Sequence, residues 1–560
     1  MTPSCWSTVA AEHAALLAAP DFSVAALLAV LPMFGLVLAV VMAPAWQALY
    51  GRRVQRFMGL REVAAPPAAW WQRRQSARGR RNPALDESDA GMPLALAMQQ
   101  RETRIRRATL AAYLVCVAWS VLLAPWMLDM DLAADASMVA FVAVLAAGPA
   151  MVNVVPHGSK PSLLIGSFLV LALALKAEAD VGIDSVLAGF AIVVLLYITS
   201  VHRTMRALVV PLLVLSAAAL FGVVLALWAL LPLNCLPDNG EFGAKAWALS
   251  GAVFATSALL FTLCLWLGTR ALDGLASLVR RGWFSDRSLV AFAGLAMLAG
   301  VLMLAVDDPQ ATLGIHLALY TGWMGVTAAT YAWVLHRQPC PQVGRRLLML
   351  RVFSKDRKAE RLLDAIQSRW QLAGPVLEIA GPDLAKLNLD LDEFIHLVNF
   401  KLHALFQPGQ AAPGALAASL DLALDREGRF RVNEVFCFDT SWRGVVEQMM
   451  VLSDVILLDL RGFTDERKGT AHEVRRLAAL GLLPRVVALG DSVTDWPFFE
   501  RCVAEHASGP GPGLAMKIEA ADPDALASCV NRLLEIADAA GHAAALVASR
   551  DTQVLPMASH

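Results

Sequence analysis

Charge is scarce in this chain. Asp, Glu, Lys and Arg make up 17% of 560 residues, while 57% are hydrophobic and mean hydropathy is +0.54. A soluble protein carries about 25% charged residues, so long apolar segments are expected. No two of the eight cysteines form a Cys-x-x-Cys pair, which removes the usual signal for a zinc or thioredoxin-like site. No G-x-x-x-x-G-K-[ST] motif occurs, and no G-x-G-x-x-G follows the first strand of the C-terminal half. P-loop and ordinary dinucleotide chemistry therefore have no carrier, and no cofactor or metal site is expected. The net charge of −1 points to no specific nucleic-acid partner. The apolar runs hold almost no ionisable residue near their centres, which argues against ion-coupled transport.

What is present divides the chain in two. Apolar runs at 23–45, 108–128, 137–156, 162–178, 184–201, 208–232, 246–268, 289–306 and 312–335 read as about nine membrane spans, since crossing takes about 20 apolar residues. The loops between them alternate in charge. Basic loops carry Arg52, Arg53 and Arg56, then Arg203 and Arg206, then Arg280 and Arg281; acidic loops carry Asp129, Glu178, Asp238 and Asp307. The positive-inside rule then places the N-terminus outside and the C-terminal region in the cytoplasm of a bacterial inner membrane, with the lipid bilayer as partner. The expected domains are a short outer segment at 1–22, an all-α polytopic membrane domain at 23–340 with a basic loop at 46–107, a cytoplasmic α/β domain at 341–540 and a disordered tail at 541–560. Leu272–Trp283 is expected as an amphipathic interfacial helix.

From Leu347 onward short apolar strands alternate with amphipathic helices, the pattern of a mainly parallel sheet covered on both faces. Ligands of such sheets bind beyond the C-terminal strand ends. That rule singles out the loops at 354–357, 381–384, 459–469 and 490–495. Ser354 is a candidate ligand donor or helix cap, Trp442 a candidate base-stacking ring, and Asp459 a candidate for a ribose hydroxyl. Arg461 is a candidate for a phosphate, and Gly469 for close backbone approach.

The segment Ser453–Leu480, SDVILLDLRGFTDERKGTAHEVRRLAAL, reads as a buried strand, a polar loop and a helix with Glu473 near its start. It resembles nucleoside 2-deoxyribosyltransferases and is similar to TIR domains, in which a glutamate begins the helix after the equivalent strand. The resemblance covers about 150 residues and implies a flavodoxin/TIR-like fold. It further implies a nucleotide ligand such as NAD, homo-oligomeric assembly and, for Glu473, a catalytic role at the ribosyl carbon as the base departs. An N-glycosidic bond breaking builds positive charge on the sugar, which a carboxylate stabilises or traps. A position at the helix start would keep that carboxylate ionised. The region 385–430 is longer than a compact TIR domain has there, and the usual tryptophan–cysteine pair is absent. The expected role is a membrane protein whose α/β domain binds a nucleotide and cleaves it in signalling or defence. The alternatives are a non-catalytic sensor or scaffold, and a channel or transporter gated by the soluble domain.

Overall fold

The structure is a computed structural model that describes residues 24–59, 92–128, 203–230, 244–283, 285, 288–289, 313–351, 357–380, 391–398, 402–407, 416–417, 420–506, 514, 516–519 and 524–553. Five long helices come first: α1 (Val24–Met58), α2 (Leu94–Leu128), α3 (Arg203–Leu230), α4 (Ala244–Arg280) and α5 (Leu313–Arg337). The α/β part follows as β1 (Leu347–Arg351), α6 (Arg357–Trp370), β2 (Val376–Ala380), α7 (Leu391–Val398), β3 (Phe406–Gln407) and β4 (Val432–Cys437). It continues as α8 (Trp442–Leu452), β5 (Val455–Asp459), α9 (Lys468–Ala479), β6 (Val486–Gly490), α10 (Trp496–Ala504), β7 (Met516–Glu519) and α11 (Ala525–Gln553).

The sheet has seven parallel strands in the order β3-β4-β2-β1-β5-β6-β7. Each residue of β5 and β6 is buried, as expected of unbroken apolar runs covered on both sides. One face, lined by Leu348, Leu350, Ile456, Leu458, Val486 and Ala488, packs against α8, α9 and α10. The other face, lined by Leu347, Met349, Val455, Leu457, Val487 and Leu489, packs against α6, α11 and the start of α2. The chain leaves β1 for β2 on one side and returns to β5 on the other. The C-terminal ends of β1 and β5 thus flank the crevice at which doubly wound sheets bind ligands. Helix α11 runs to Gln553, past the expected domain end at 540.

The helical half departs from the sequence expectation. Among the described residues, one helix stretch is long and apolar enough to cross a membrane, Ser250–Val279 in α4. About nine spans, and with them a multi-pass inner-membrane placement, do not fit this fold. The physical reason is that apolar positions counted as lipid-facing partly serve as protein core. Ala43 of the expected span 23–45 and Leu208 and Leu212 of the expected span 208–232 are buried against Phe394, Phe406 and Phe436 of the α/β part, together with Tyr50, Val54 and Met58 from the expected loop. Helix α1 also runs on through Arg52, Arg53 and Arg56, and α2 begins at Leu94, inside the expected basic loop. The expected spans 137–156, 162–178 and 184–201 lie outside the described residues, as do 1–22 and all of the expected span 289–306 but Leu289. Leu272–Trp283 is no separate interfacial helix: α4 continues to Arg280, and Leu272, Ala276 and Val279 bury against Ile395 of α7. Helices α3 and α4 meet closely at Gly268, where an added Cβ would lie 2.6 Å from that of Ala218.

Two devices lock the halves together. Arg101 of α2 is fully buried; its guanidinium donates to the carbonyls of Pro341 (3.1 and 2.6 Å), Leu372 (2.6 Å) and Val343, and it stacks on Phe430. Within the helical half, Arg104 steadies this helix by donating to the carbonyl of Leu335 in α5 at 3.0 and 2.5 Å. The second device is the loop 421–431. Gly428 takes a φ of +92°, and Arg101, Arg104 and Cys340 crowd the place a Cβ would occupy. The Glu427 carboxylate accepts from Ser285 N at 3.1 Å, Arg426 N donates to Gly282 O at 3.0 Å, and Arg431 donates to Val279 O. Asp425 caps its own loop, accepting from Arg429 N at 2.7 Å. Burial, with Glu427 close by, pushes the Asp425 carboxyl up to about 7.

Candidate functional site

Helix α9 follows β5 through the loop 460–467. Its buried stripe is Thr470, Ala471, Glu473, Val474, Leu477 and Ala478, the i, i+3, i+4 pattern of a helix lying on a sheet. Glu473 occupies the sixth helical position within that stripe, is 8% exposed, and its buried Oε2 has no hydrogen-bond partner among the described residues. Burial pushes its carboxyl up to about 8. The expectation of a carboxylate kept ionised by the helix start is therefore corrected. The dipole acts within the first turn, whereas Glu473 sits beyond it, where desolvation prevails and the neutral acid is the form at pH 7.

Beside Glu473, His472 meets Trp442 edge-on, with ring centroids 5.5 Å apart. The buried Nε2 of His472 also has no hydrogen-bond partner among the described residues. Burial, then the nearby Arg443, lowers the His472 pKa, so the neutral imidazole is favoured at pH 7. Arg476 and Glu447 form a two-pronged ion pair, at 2.9 and 3.0 Å, that fixes α9 against α8. Gly469 lies one turn before Glu473 and is exposed; a Cβ added there would meet nothing within 4 Å. The arrangement is a half-buried aromatic pair, a buried neutral acid in the core-facing stripe and an exposed glycine one turn before it.

Of the residues picked from the sequence, Gly469 and Glu473 lie one turn apart on α9, and Trp442 at the start of α8 meets His472 of the same helix. Asp459 and Arg461 lie apart from these. Asp459 lies in phase with Val455 and Leu457, so it points to the face away from α8 and α9, where it and Arg461 act on the thiol of Cys529 in α11. Arg461 grips Asp459 through two bonds of 2.7 Å, both side chains buried. The two groups offered to a phosphate and a ribose thus neutralise each other below the strand end. Ser354 lies outside the described residues, as does the whole of the loop 381–384. In the remaining loop, Asp491 Oδ1 accepts from Gly462 N, Val493 N and Thr494 Oγ1, and Asp495 caps α10 through Phe498 N at 2.9 Å. Both are turn residues. Among the described residues no three His, Cys, Asp or Glu side chains converge as a metal site. Sequence reasoning missed His472; the signal available was its place in GTAHE, next to the acid and one helical turn from Gly469.

No protein-family model matches the chain, and no curated protein or solved structure matches it.

Proposed function

We propose that the α/β domain binds a nucleoside-containing ligand beside α8 and α9, and that Glu473 acts there as a proton donor to the base. The observation that carries this is the buried, unpartnered acid of Glu473, which follows His472 in α9, the residue whose ring meets Trp442 of α8. A neutral carboxyl in an apolar setting is suited to general-acid work, as when burial raises a catalytic glutamate toward neutrality. In the cleavage step the C1′–N bond breaks and its electron pair goes to the base nitrogen. The Glu473 O–H proton follows it. Water attacks C1′ and returns a proton to the Glu473 carboxylate, so the balance closes. This chemistry favours neutral nucleosides, whose base leaves as an anion unless protonated. It favours NAD less, because nicotinamide departs neutral without help.

The test is release of free base by the full-length protein. Inosine, 2′-deoxyadenosine and NAD are supplied separately, at protein concentrations that drive self-association, and products are resolved by chromatography. The expected result is base from the neutral nucleosides at a rate above that of nicotinamide, lost in Glu473→Gln. No base from any substrate would refute the catalytic step. Base release equal in Glu473→Gln would refute the role of Glu473.

One observation favours a second reading, a non-catalytic sensor. The interlocked loop 421–431 leads directly into β4 and then α8, whose first residue is Trp442. That path joins the helical half to the ligand site without any chemistry. In this reading nucleoside binding persists in Glu473→Gln and base release is absent from both proteins.

A further inference from the structure

The stretch Ser250–Val279 passes the test of length and hydropathy, as do core helices of soluble proteins. A core helix is mostly covered by its own protein, and here only 22% of the apolar window is buried. Phe254, Leu259, Leu263 and Leu267 are 46–68% exposed. From Ser250 to Gly268 no Asp, Glu, Lys or Arg occurs. Nineteen helical residues rise about 28 Å, close to the thickness of a bilayer's hydrocarbon core of about 30 Å. Immediately beyond this segment Arg270 stacks on Trp266, 5.1 Å from the ring centre, and both side chains are exposed. Past that point α4 changes partner, and Leu272, Ala276 and Val279 bury against α7.

Helix α5 repeats the device. Arg337 stacks on the exposed Trp333 at 5.2 Å, in the last turn before the segment that enters β1. Neither arginine forms an ion pair among the described residues. Each site thus presents a cation and an amphipathic ring at the place where a helix reaches the α/β part. A Trp ring suits the boundary between apolar chains and water. An uncompensated guanidinium beside it suits a phosphate, which it can grip with two parallel donors. A partner that offers acyl chains along α4 and phosphates at its end satisfies both.

We propose that α4 embeds its Ser250–Gly268 stretch in a lipid bilayer, and that the Trp266–Arg270 and Trp333–Arg337 pairs hold the headgroups of acidic phospholipids at the surface facing the α/β part. This rests on geometry separate from the nucleoside site and stands or falls without it.

The experiment uses the full-length protein in detergent, diluted below the micelle-forming concentration with vesicles of phosphatidylcholine alone or with phosphatidylglycerol, and measures flotation. Wild type is expected to float with both and to prefer the acidic vesicles. The Arg270→Ala/Arg337→Ala variant should lose roughly fivefold of that preference per arginine, about 25-fold in all, from the attraction of a basic residue to an acidic surface. Arg270→Lys/Arg337→Lys should retain most of it. Both arginines are exposed, so neither substitution removes core packing; circular dichroism matching wild type confirms the fold. Failure to float with either vesicle would overturn the embedding of α4. Equal preference in wild type and the alanine variant would overturn the headgroup assignment. So would loss of the preference on adding inorganic phosphate but not sulfate at matched ionic strength, because a free-phosphate site would then be indicated.

Discussion

Replacing Arg101 by Met tests whether the two halves are joined as described. Arg101 is fully buried on α2 and donates four hydrogen bonds to three carbonyls of the segment entering β1 and the turn after α6. Met preserves much of the apolar stem and removes every donor. The carbonyls of Pro341, Leu372 and Val343 then lose a charged partner. A hydrogen bond to a charged group contributes roughly 1.5–3 kcal/mol, and breaking a buried charged contact costs about 3–5 kcal/mol. Since these losses share one side chain they do not add, and about 4 kcal/mol is the expected local loss. At about 1.4 kcal/mol per tenfold, amide hydrogen exchange over 338–346 and the first turns of α2 should accelerate by about three decades. Exchange is the right assay because a two-part chain has no single unfolding free energy. The control is Arg106→Met on the same helix, whose ion pair with Glu102 is half exposed. Such a pair contributes about 0.3–0.5 kcal/mol, so protection should change by less than threefold. An Arg101→Met effect no larger than that of Arg106→Met would refute the reasoning.

The remaining predictions concern the site and the junction. The folded state holds the Glu473 proton more tightly than the unfolded chain, about 8 against 4.5, so its contribution to stability falls as pH rises between those values. At pH 7 this amounts to about 3 kcal/mol, and Glu473→Gln should abolish that slope in the pH dependence of α9 amide protection. Gly469→Val should leave the fold intact, because a Cβ there meets nothing within 4 Å, yet weaken nucleoside affinity at least tenfold in equilibrium dialysis if a ligand occupies that space. The raised Asp425 pKa has the same sign: exchange protection of the 421–431 loop should decrease as pH climbs from about 4 toward about 7, and Asp425→Asn should flatten that trend while its side-chain oxygen still accepts from Arg429 N.

The α/β domain was legible because each longer strand is a short apolar run set between helices with polar faces. The two-residue strand β3 was not, since Phe406–Gln407 has no periodicity to read. Placing Asp459 in a common site with Glu473 failed for a related reason. A strand buried on both faces shows no apolar–polar alternation, so its sequence does not say which face its last residue takes. Burial of Glu473 was readable in part, because it precedes Leu477 by four residues and follows Thr470 by three. In the helical half, hydropathy counted apolar residues without saying what covers them. Leu208 and Leu212 are covered by the α/β part, whereas Phe254 and Leu259 are not. The arginines of α2, read as markers of orientation, include Arg101, whose donors close the junction, and Arg104, which ties α2 to the end of α5.

The central claim is that Glu473 is a neutral acid at pH 7 and that a nucleoside reaches it. Infrared difference spectra of the full-length protein, wild type minus Glu473→Gln, isolate its carboxyl C=O stretch. The band should persist at pH 7, vanish with a midpoint near 8, and shift in frequency when inosine is added. A midpoint near 4.5, or a band that ignores the nucleoside, would contradict the account.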